Sequence, residues 1–308
     1  MWRSFMPRHF ATSFDSVLCS RHDHSLDNTA VDWLKPVHDL RVVRPPTRLQ
    51  GQAALVCDHS QLDGGGGMVH VHRHQTSGMT NVPAYLKSAS LFFDFDSTIV
   101  SGEAIDELAQ IALANAPDRA ARVAAIHAIT NAGMEGSMAI DESLRQRLDM
   151  LEIRAHMLAP LVARLHEQIS PSLLRHGALL KNMRDQIWII SSGFHEWIDP
   201  VVSALGLRVD HVNANRLLAN AQGILRLDPT SHCATVGSKA RAAAVLCCAP
   251  PRIMIGDGMT DFEVRRDGAC DYFAAWTESV VRPTVVANAD IVAPHFEGLL
   301  SALAECLT

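Results

Sequence analysis

Two carboxylates two residues apart, Asp94 and Asp96, follow directly on the apolar run Leu91-Phe92-Phe93, and two more, Asp257 and Asp261, follow another, Ile253-Met254-Ile255. Acids gathered at the ends of buried strands repel one another unless a divalent cation, a shared proton, or work as nucleophile and acid/base offsets the charge. A third apolar run, Ile187-Trp188-Ile189-Ile190, ends in Ser191-Ser192-Gly193, which offers hydroxyls and free backbone amides to an anion. Gly237-Ser238-Lys239 then opens an alanine-rich helix over Ala240 to Leu246. That puts an ammonium near a helix start, an electrostatically poor place that favours a functional reason for it. Strands ending in Asp, Ser and Asp, with one Lys, describe a metal-assisted phosphate site. The carboxylates suit a hard cation, and the hydroxyl, amides and ammonium suit phosphoryl oxygens. The plain alternative for each acid is capping: Asp96 or Ser97 ahead of the next helix, and Asp261 ahead of the helix through Phe262 and Val264.

These groups need a frame that brings them together. Strand side chains alternate faces, so Asp94 and Asp96 are expected to point the same way where the chain leaves the sheet, at the carboxyl edge where open α/β sheets bind ligands. From Glu103 to about Leu165 the chain is rich in Ala, Leu, Met, Glu and Arg, with Ile105, Leu108, Ala109 and Ala112 at helical spacing, which predicts a small helical bundle. Beyond it the chain resumes near Pro171 with a helix through Leu173, Leu174 and Leu179. Strands and helices then alternate to the end, including a strand at Tyr272 to Trp276. Such alternation predicts an α/β fold, a doubly wound Rossmann-like parallel sheet. The expected division is a core of residues 86–102 and 171–308, an inserted helical cap of 103–170, and an N-terminal extension of 1–85.

The order Asp94-Phe95-Asp96-Ser97-Thr98, Ser191, Lys239 and Gly256-Asp257-Gly258 with Asp261 resembles the haloacid dehalogenase superfamily and, within it, the phosphoserine phosphatase family. The cap pattern of that family is present in Glu103-Ala104-Ile105-Asp106-Glu107-Leu108, in Met134-Glu135-Gly136 and in Ser143-Leu144-Arg145-Gln146-Arg147, and Ala214-Asn215-Arg216-Leu217 fits it too. The resemblance runs from about Leu86 to the C-terminus.

It implies a Mg2+-dependent phosphomonoester hydrolase that forms an aspartyl phosphate, acting on phosphoserine in the last step of serine biosynthesis. By the family pattern Asp94 is the nucleophile, and Asp96 protonates the leaving oxygen and then activates water. The carboxylates of Asp94 and Asp257 and the carbonyl of Asp96 hold Mg2+, with Asp261 and Thr260 supporting them from behind. Ser191, Ser192 and Lys239 hold the phosphoryl group. In the cap, Glu103 pairs with a substrate ammonium and Arg147 with a carboxylate, while Met134 and Ile140 line the site. Ile140 departs from an aromatic residue usual there, Ser192 departs from a glycine, and Thr260 stands where Asn or Thr occurs. These departures keep open a phosphatase or phosphotransferase for another small phosphorylated amine or alcohol. A non-catalytic metal-binding or regulatory protein on the same scaffold is the alternative of a different class.

The chain has 308 residues, 48% hydrophobic and 19% charged, with a net charge of −6. It has no dense Lys/Arg stripe, which argues against nucleic acid, and no apolar stretch of membrane-spanning length. The expected partner is a small-molecule substrate, and a homodimer remains open. Seven cysteines without a Cys-x-x-Cys pair suit free thiols in a reducing cytoplasm. The first 85 residues carry Pro45-Pro46, the run Gly64 to Gly67 and His70-x-His72-x-His74, without sustained periodicity. Disorder or an over-extended reading frame, with the biological start at Met68 or Met79, is expected there. Met1 to Phe14 resembles an organelle transit peptide only until Asp15. The alternating histidines could take a transition metal, but a His-rich tail without a second ligand cluster is the simpler expectation.

Overall fold

A computed structural model describes residues 80–307. Residues 1–79 of the extension, with its histidine run and candidate start sites, lie outside the described residues. Packing begins ahead of Leu86: Val82 and Tyr85 rest on the core, and Tyr85 Oη donates to Leu300 O at 3.0 Å.

The first apolar run forms β1 (Ser90–Phe93), buried at every position because helices cover both faces of the sheet. The chain then makes a tight turn at 95–99 and passes through α1 (Ala104–Ala112), α2 (Arg119–Met134), α3 (Ile140–Asp149) and α4 (Leu158–Glu167). Short helices α5 (Pro171–Arg175) and α6 (Gly177–Asn182) lead to β2 (Ile187–Phe194), α7 (His195–Ala204) and β3 (Val212–Asn215). A hairpin of β4 (Leu217–Ala219) and β5 (Leu225–Leu227) precedes α8 (Ser238–Val245) and β6 (Arg252–Gly256). The chain closes with α9 (Met259–Arg266), β7 (Tyr272–Trp276), α10 (Pro283–Val286), β8 (Ile291–Ala293) and α11 (Phe296–Leu307).

Six strands form one parallel sheet in the order β3-β2-β1-β6-β7-β8. The winding runs outward in both directions from the β1/β6 pair, which makes that pair the switch point where open α/β sheets hold ligands. Pleating divides the interior in two. Leu91, Phe93, Ile253 and Ile255 enter the core shared with Trp197 of α7 and Leu299 of α11, while Phe92 and Met254 enter the one shared with Ala240 of α8 and Val264 of α9. The doubly wound parallel sheet read from the sequence is the sheet observed.

The helical insertion spans α1 to α4. Gly133 of α2 lets α3 come close, since a Cβ there would lie 2.7 Å from Ser143 Oγ. The two chain crossings into and out of the insertion run side by side: Ser101 N donates to Gln168 O (2.8 Å) and Ser170 N to Ile99 O (2.8 Å), around an antiparallel bridge of Val100 with Ile169. The one helix expected through Leu173 and Leu179 is two, α5 and α6. His176 interrupts it with its ring buried, Nδ1 2.9 Å from Ser172 O and the Phe296 ring steeply inclined to it at 5.4 Å between centroids. Among the described residues no helix is long and apolar enough to cross a membrane.

Candidate active site

Residue-by-residue pairing puts Phe93 beside Ile255, so β1 and β6 end together, and Asp94 N donates to Ile255 O at 2.9 Å. The acids that follow each strand are thereby brought to one place. Oxygens of Asp94, Asp257 and Asp261, all buried, lie within 4.8 Å of one another. Lys239 Nζ, at the start of α8, reaches Asp94 Oδ2 at 2.8 Å and Asp261 Oδ1 at 2.7 Å. Burial alone would lower the ammonium pKa, but Asp261 and Asp94 outweigh it and hold it above its ordinary value, so the lysine stays charged.

The acids differ in what they leave free. Asp94 Oδ1 accepts from Phe95 N (2.7 Å), and Asp261 Oδ2 accepts from Gly258 N (3.0 Å), so both oxygens of each have protein donors. Asp257 Oδ2 accepts from Arg282 Nε (3.0 Å), while its Oδ1 is buried with no hydrogen-bond partner among the described residues. Gly256 permits this crowding: a Cβ there would lie 2.2 Å from Asp261 Oδ2. Burial, followed by Glu103, Asp94 and Asp261, pushes the Asp257 carboxyl well above the ordinary range against the pull of Arg282. Burial and Asp94 push Asp261 up as well, against Lys239. Five acids, Asp94, Asp96, Glu103, Asp257 and Asp261, face three cations, Lys239, Arg147 and Arg282, which leaves two negative charges when all are ionised. Oxygen-only donors, that residual charge and the orphaned Asp257 Oδ1 all fit a hard divalent cation such as Mg2+.

Asp96 reaches the same place by a route the pleat argument did not foresee. The strand stops at Phe93, and Ser97 adopts a left-handed conformation (φ 51°) within the turn, its N–H donating to Gly102 O and its Oγ to Glu103 Oε1 at 2.7 Å. Asp96 Oδ1 accepts from Ala104 N (2.8 Å), a free amide of the first turn of α1, but the N-cap position of that helix is Glu103, so neither Asp96 nor Ser97 starts it as the capping alternative had it. Oδ2 faces Gly193, 3.5 Å from where a Cβ would stand. Burial and then Glu103 raise the Asp96 carboxyl well above its ordinary range, against the Ala104 amide.

Strand β2 does not end at Ile190; it runs to Phe194 with a register break across Ser191 to Gly193. There Ser191 Oγ, buried, accepts from Gly193 N (2.9 Å). Asn215 holds the break, donating from Nδ2 to Ser192 O (2.8 Å) and accepting from Cys233 N (3.1 Å). Ser192, Ile140 and Thr260 line one small pocket beside Lys239, and Thr260 Oγ1 is buried with no hydrogen-bond partner among the described residues.

From the insertion, Glu103 lies at the head of α1, and its carboxyl is raised by burial against its Ser97 hydrogen bond and the charge of Arg147. Met134 ends α2 above the Gly258 turn, where a Cβ at Gly258 would lie 3.5 Å from its sulfur. Arg147 of α3 is buried, with Nε donating to Ser143 O and Nη1 to Thr130 Oγ1, both at 3.2 Å. Asp96 and Glu103 are near enough to act on its charge. All of the candidate site residues read from the sequence therefore belong to one neighbourhood. Sequence reasoning missed Arg282, which reaches both Asp257 and Asn131 of α2 (3.4 Å). Its only signal is an arginine set between Val280-Val281 and Pro283 just past the carboxyl end of a strand.

A parallel sheet whose switch point carries this acid cluster, a buried lysine and a helical insertion defines a hydrolase of the haloacid dehalogenase type. The profile of the haloacid dehalogenase-like hydrolases matches residues 91–266, and the chain belongs to that family. It is 31% identical over 215 residues to the chloroplastic phosphoserine phosphatase of Arabidopsis thaliana, covering 68% of this chain and 70% of that one. To the human phosphoserine phosphatase it is 29% identical over 228 residues, 72% of this chain and 96% of the relative. Among solved structures, a phosphoserine phosphohydrolase-like protein from Francisella tularensis superposes with a TM-score of 0.61 at 25% identity, over 70% of this chain and 99% of that one.

Proposed function

We propose that the protein is a Mg2+-dependent phosphoserine phosphatase, converting O-phospho-L-serine and water to L-serine and phosphate through an aspartyl phosphate. The observation that carries this reading is Lys239 held between Asp94 and Asp261 beside the orphaned Asp257 Oδ1. Residues 103–170 are proposed to be the cap over that floor.

Asp94 attacks phosphorus through a carboxylate oxygen, and the serine Oγ–P bond breaks as the Asp94 O–P bond forms. Asp96, whose carboxyl burial and Glu103 push toward the protonated form, gives a proton to the departing oxygen. The same carboxylate then takes a proton from the water that attacks the phosphoaspartate, which restores both residues. Lys239, the Ser191 hydroxyl and nearby amides hold the charge of the transferring group. Asp94, Asp257 and the Asp96 carbonyl would hold the cation, with Asp261 and Thr260 behind them. When bound, Mg2+ neutralises the phosphoryl oxygens and lowers the repulsion between phosphate and nucleophile. Glu103 offers a carboxylate to the substrate ammonium, and Arg147 offers its guanidinium to the substrate carboxylate, so two opposite charges match an amino-acid phosphate.

A second reading, another small phosphorylated amine or alcohol, is favoured by Ile140 and Ser192 lining the same pocket. Phosphate release from L-phosphoserine, phosphothreonine, phosphoethanolamine and an aryl phosphate, with Mg2+ and beside Asp94→Asn, separates the two. Strong preference for phosphoserine is expected; equal turnover of the panel keeps the chemistry and discards the substrate. We place the enzyme in the cytoplasm, while delivery to an organelle has the name of the plant relative in its favour. N-terminal sequencing of the mature protein decides between them.

A further inference from the structure

Arg282 lies on the segment between β7 and α10, 8% exposed, and meets two regions at once. Its Nε donates to Asp257 Oδ2 (3.0 Å) and its Nη1 to Asn131 Oδ1 on α2 (3.4 Å). A guanidinium can do this because its donors are fixed in a planar fork on separate nitrogens: Asp257 is met by Nε and Asn131 by Nη1, whereas a lysine has a single nitrogen to offer.

The Asn131 amide is tied on its other side too. Its Nδ2 donates to His127 Nε2 (3.2 Å), and His127 Nδ1 donates to Asp106 Oδ2 (2.7 Å). Asp106 Oδ1 accepts from Thr130 Oγ1 (2.7 Å), which in turn accepts from Arg147 Nη1 (3.2 Å). Donor and acceptor alternate without conflict along the whole series. It runs from the carboxylate proposed to bind the cation to the arginine proposed to bind the substrate carboxylate.

We propose that Arg282 is a positioning residue that couples the cation site to the seating of α2. Resting on the cation-dependent reading above, it acts through Asp257: engaging Oδ2 turns Oδ1 toward the acid cluster, and the same guanidinium then meets Asn131 only when α2 is seated. Electrostatics alone makes the opposite forecast. A positive charge beside a cation site repels the cation, so its removal should tighten binding.

The test is calorimetric titration of the full chain with Mn2+, alongside amide hydrogen exchange across residues 119–134. In the native protein Mn2+ binds and slows exchange in α2. Arg282→Gln is expected to weaken Mn2+ binding roughly 10-fold or more, the scale seen when a group orienting a metal ligand is lost, and to abolish the slowing. Asn131→Ala should keep the native affinity and lose the slowing. Arg282→Lys, which keeps the charge and can donate to Asp257 from its one nitrogen, should recover affinity without the slowing, and native exchange rates outside residues 119–134 show that Arg282→Gln is folded. Native or tighter Mn2+ binding by Arg282→Gln, or retained slowing, overturns the proposal while the phosphatase reading stands. A native protein that binds no Mn2+ overturns the cation-dependent reading, and this proposal with it.

Discussion

The floor of the site and the helical insertion above it hold their charges by different means. On the floor, Asp94, Asp257 and Asp261 stand within a residue or a few of strand ends, and each is fixed by a neighbouring amide, lysine or arginine at 3.0 Å or less. In the insertion, Arg147 is held by Ser143 of its own helix and Thr130 of another, and Glu103 by Ser97 of the turn after β1. The floor is a rigid edge of a parallel sheet, so its geometry is set before any substrate arrives. The insertion meets the core through the paired crossings at 99–101 and 168–170 and through side chains such as Arg282. On the proposed reading, chemistry that every substrate shares belongs to the floor, and selection among substrates to the insertion.

Changes in the floor should therefore stop turnover for every substrate, and the sharpest is Asp94→Asn. It removes the attacking oxygen but keeps the shape, and a loss of four or more orders of magnitude in kcat is expected for all substrates, on the scale of deleting a covalent nucleophile. Because it also removes one charge from a crowded acid cluster, the melting temperature of the metal-free protein should hold or rise. Residual turnover above a thousandth of native would mean that another group attacks phosphorus. Lys239→Met is next. It strands Asp94 and Asp261 without their shared cation, and breaking a buried pair in this way costs about 3–5 kcal/mol. Urea unfolding of the metal-free protein at neutral pH measures it, and a loss under 1 kcal/mol would show that the two acids take up protons instead.

The insertion should answer differently. Arg147→Ala is expected to lower kcat/KM for phosphoserine roughly 10- to 150-fold, the worth of a charge-assisted contact of about 1.5–3 kcal/mol, while leaving an aryl phosphate unaffected. Equal losses on both substrates would make Arg147 part of the floor's chemistry and erase the contrast.

The same contrast explains what could be read from the sequence. The floor residues are encoded locally, each within a short motif that follows an apolar run, so Asp94, Ser191, Lys239, Asp257 and Asp261 could be picked out and the parallel sheet inferred around them. The turn at Asp96 was legible in outcome but not in route. Alternation along a strand gave the right neighbourhood, whereas the chain reaches it through a left-handed Ser97 stabilised by Glu103. Arg282 was invisible because its meaning lies in two partners 25 and 151 residues away. The break between α5 and α6 was hidden for a similar reason, since His176 turns inward against Phe296, a residue of α11. Contacts across such distances leave no periodicity behind.

The smallest expected effect distinguishes the two regions by pH. In the metal-free protein Asp96, Asp257 and Asp261 are raised above their ordinary values, Asp261 to about 7. A carboxyl whose folded pKa is raised supports the fold fully below its unfolded value, near 4. It loses that support as pH rises through the folded value, because ionisation is then harder in the folded state than in the unfolded one. Mg2+ acts in the opposite sense, since it binds the ionised carboxylates and competes with their protons. The gain in melting temperature on adding a fixed concentration of Mg2+ should consequently grow from pH 5 to pH 8. A tenfold change in affinity is about 1.4 kcal/mol, and at ~2–4 °C per kcal/mol for a domain of roughly 150–250 residues it reads as a few degrees. Asp257→Asn should flatten this dependence, and Arg147→Ala should leave it as it is. A Mg2+ effect equal at pH 5 and pH 8 would mean that the strain among the floor carboxylates is relieved by something other than the cation.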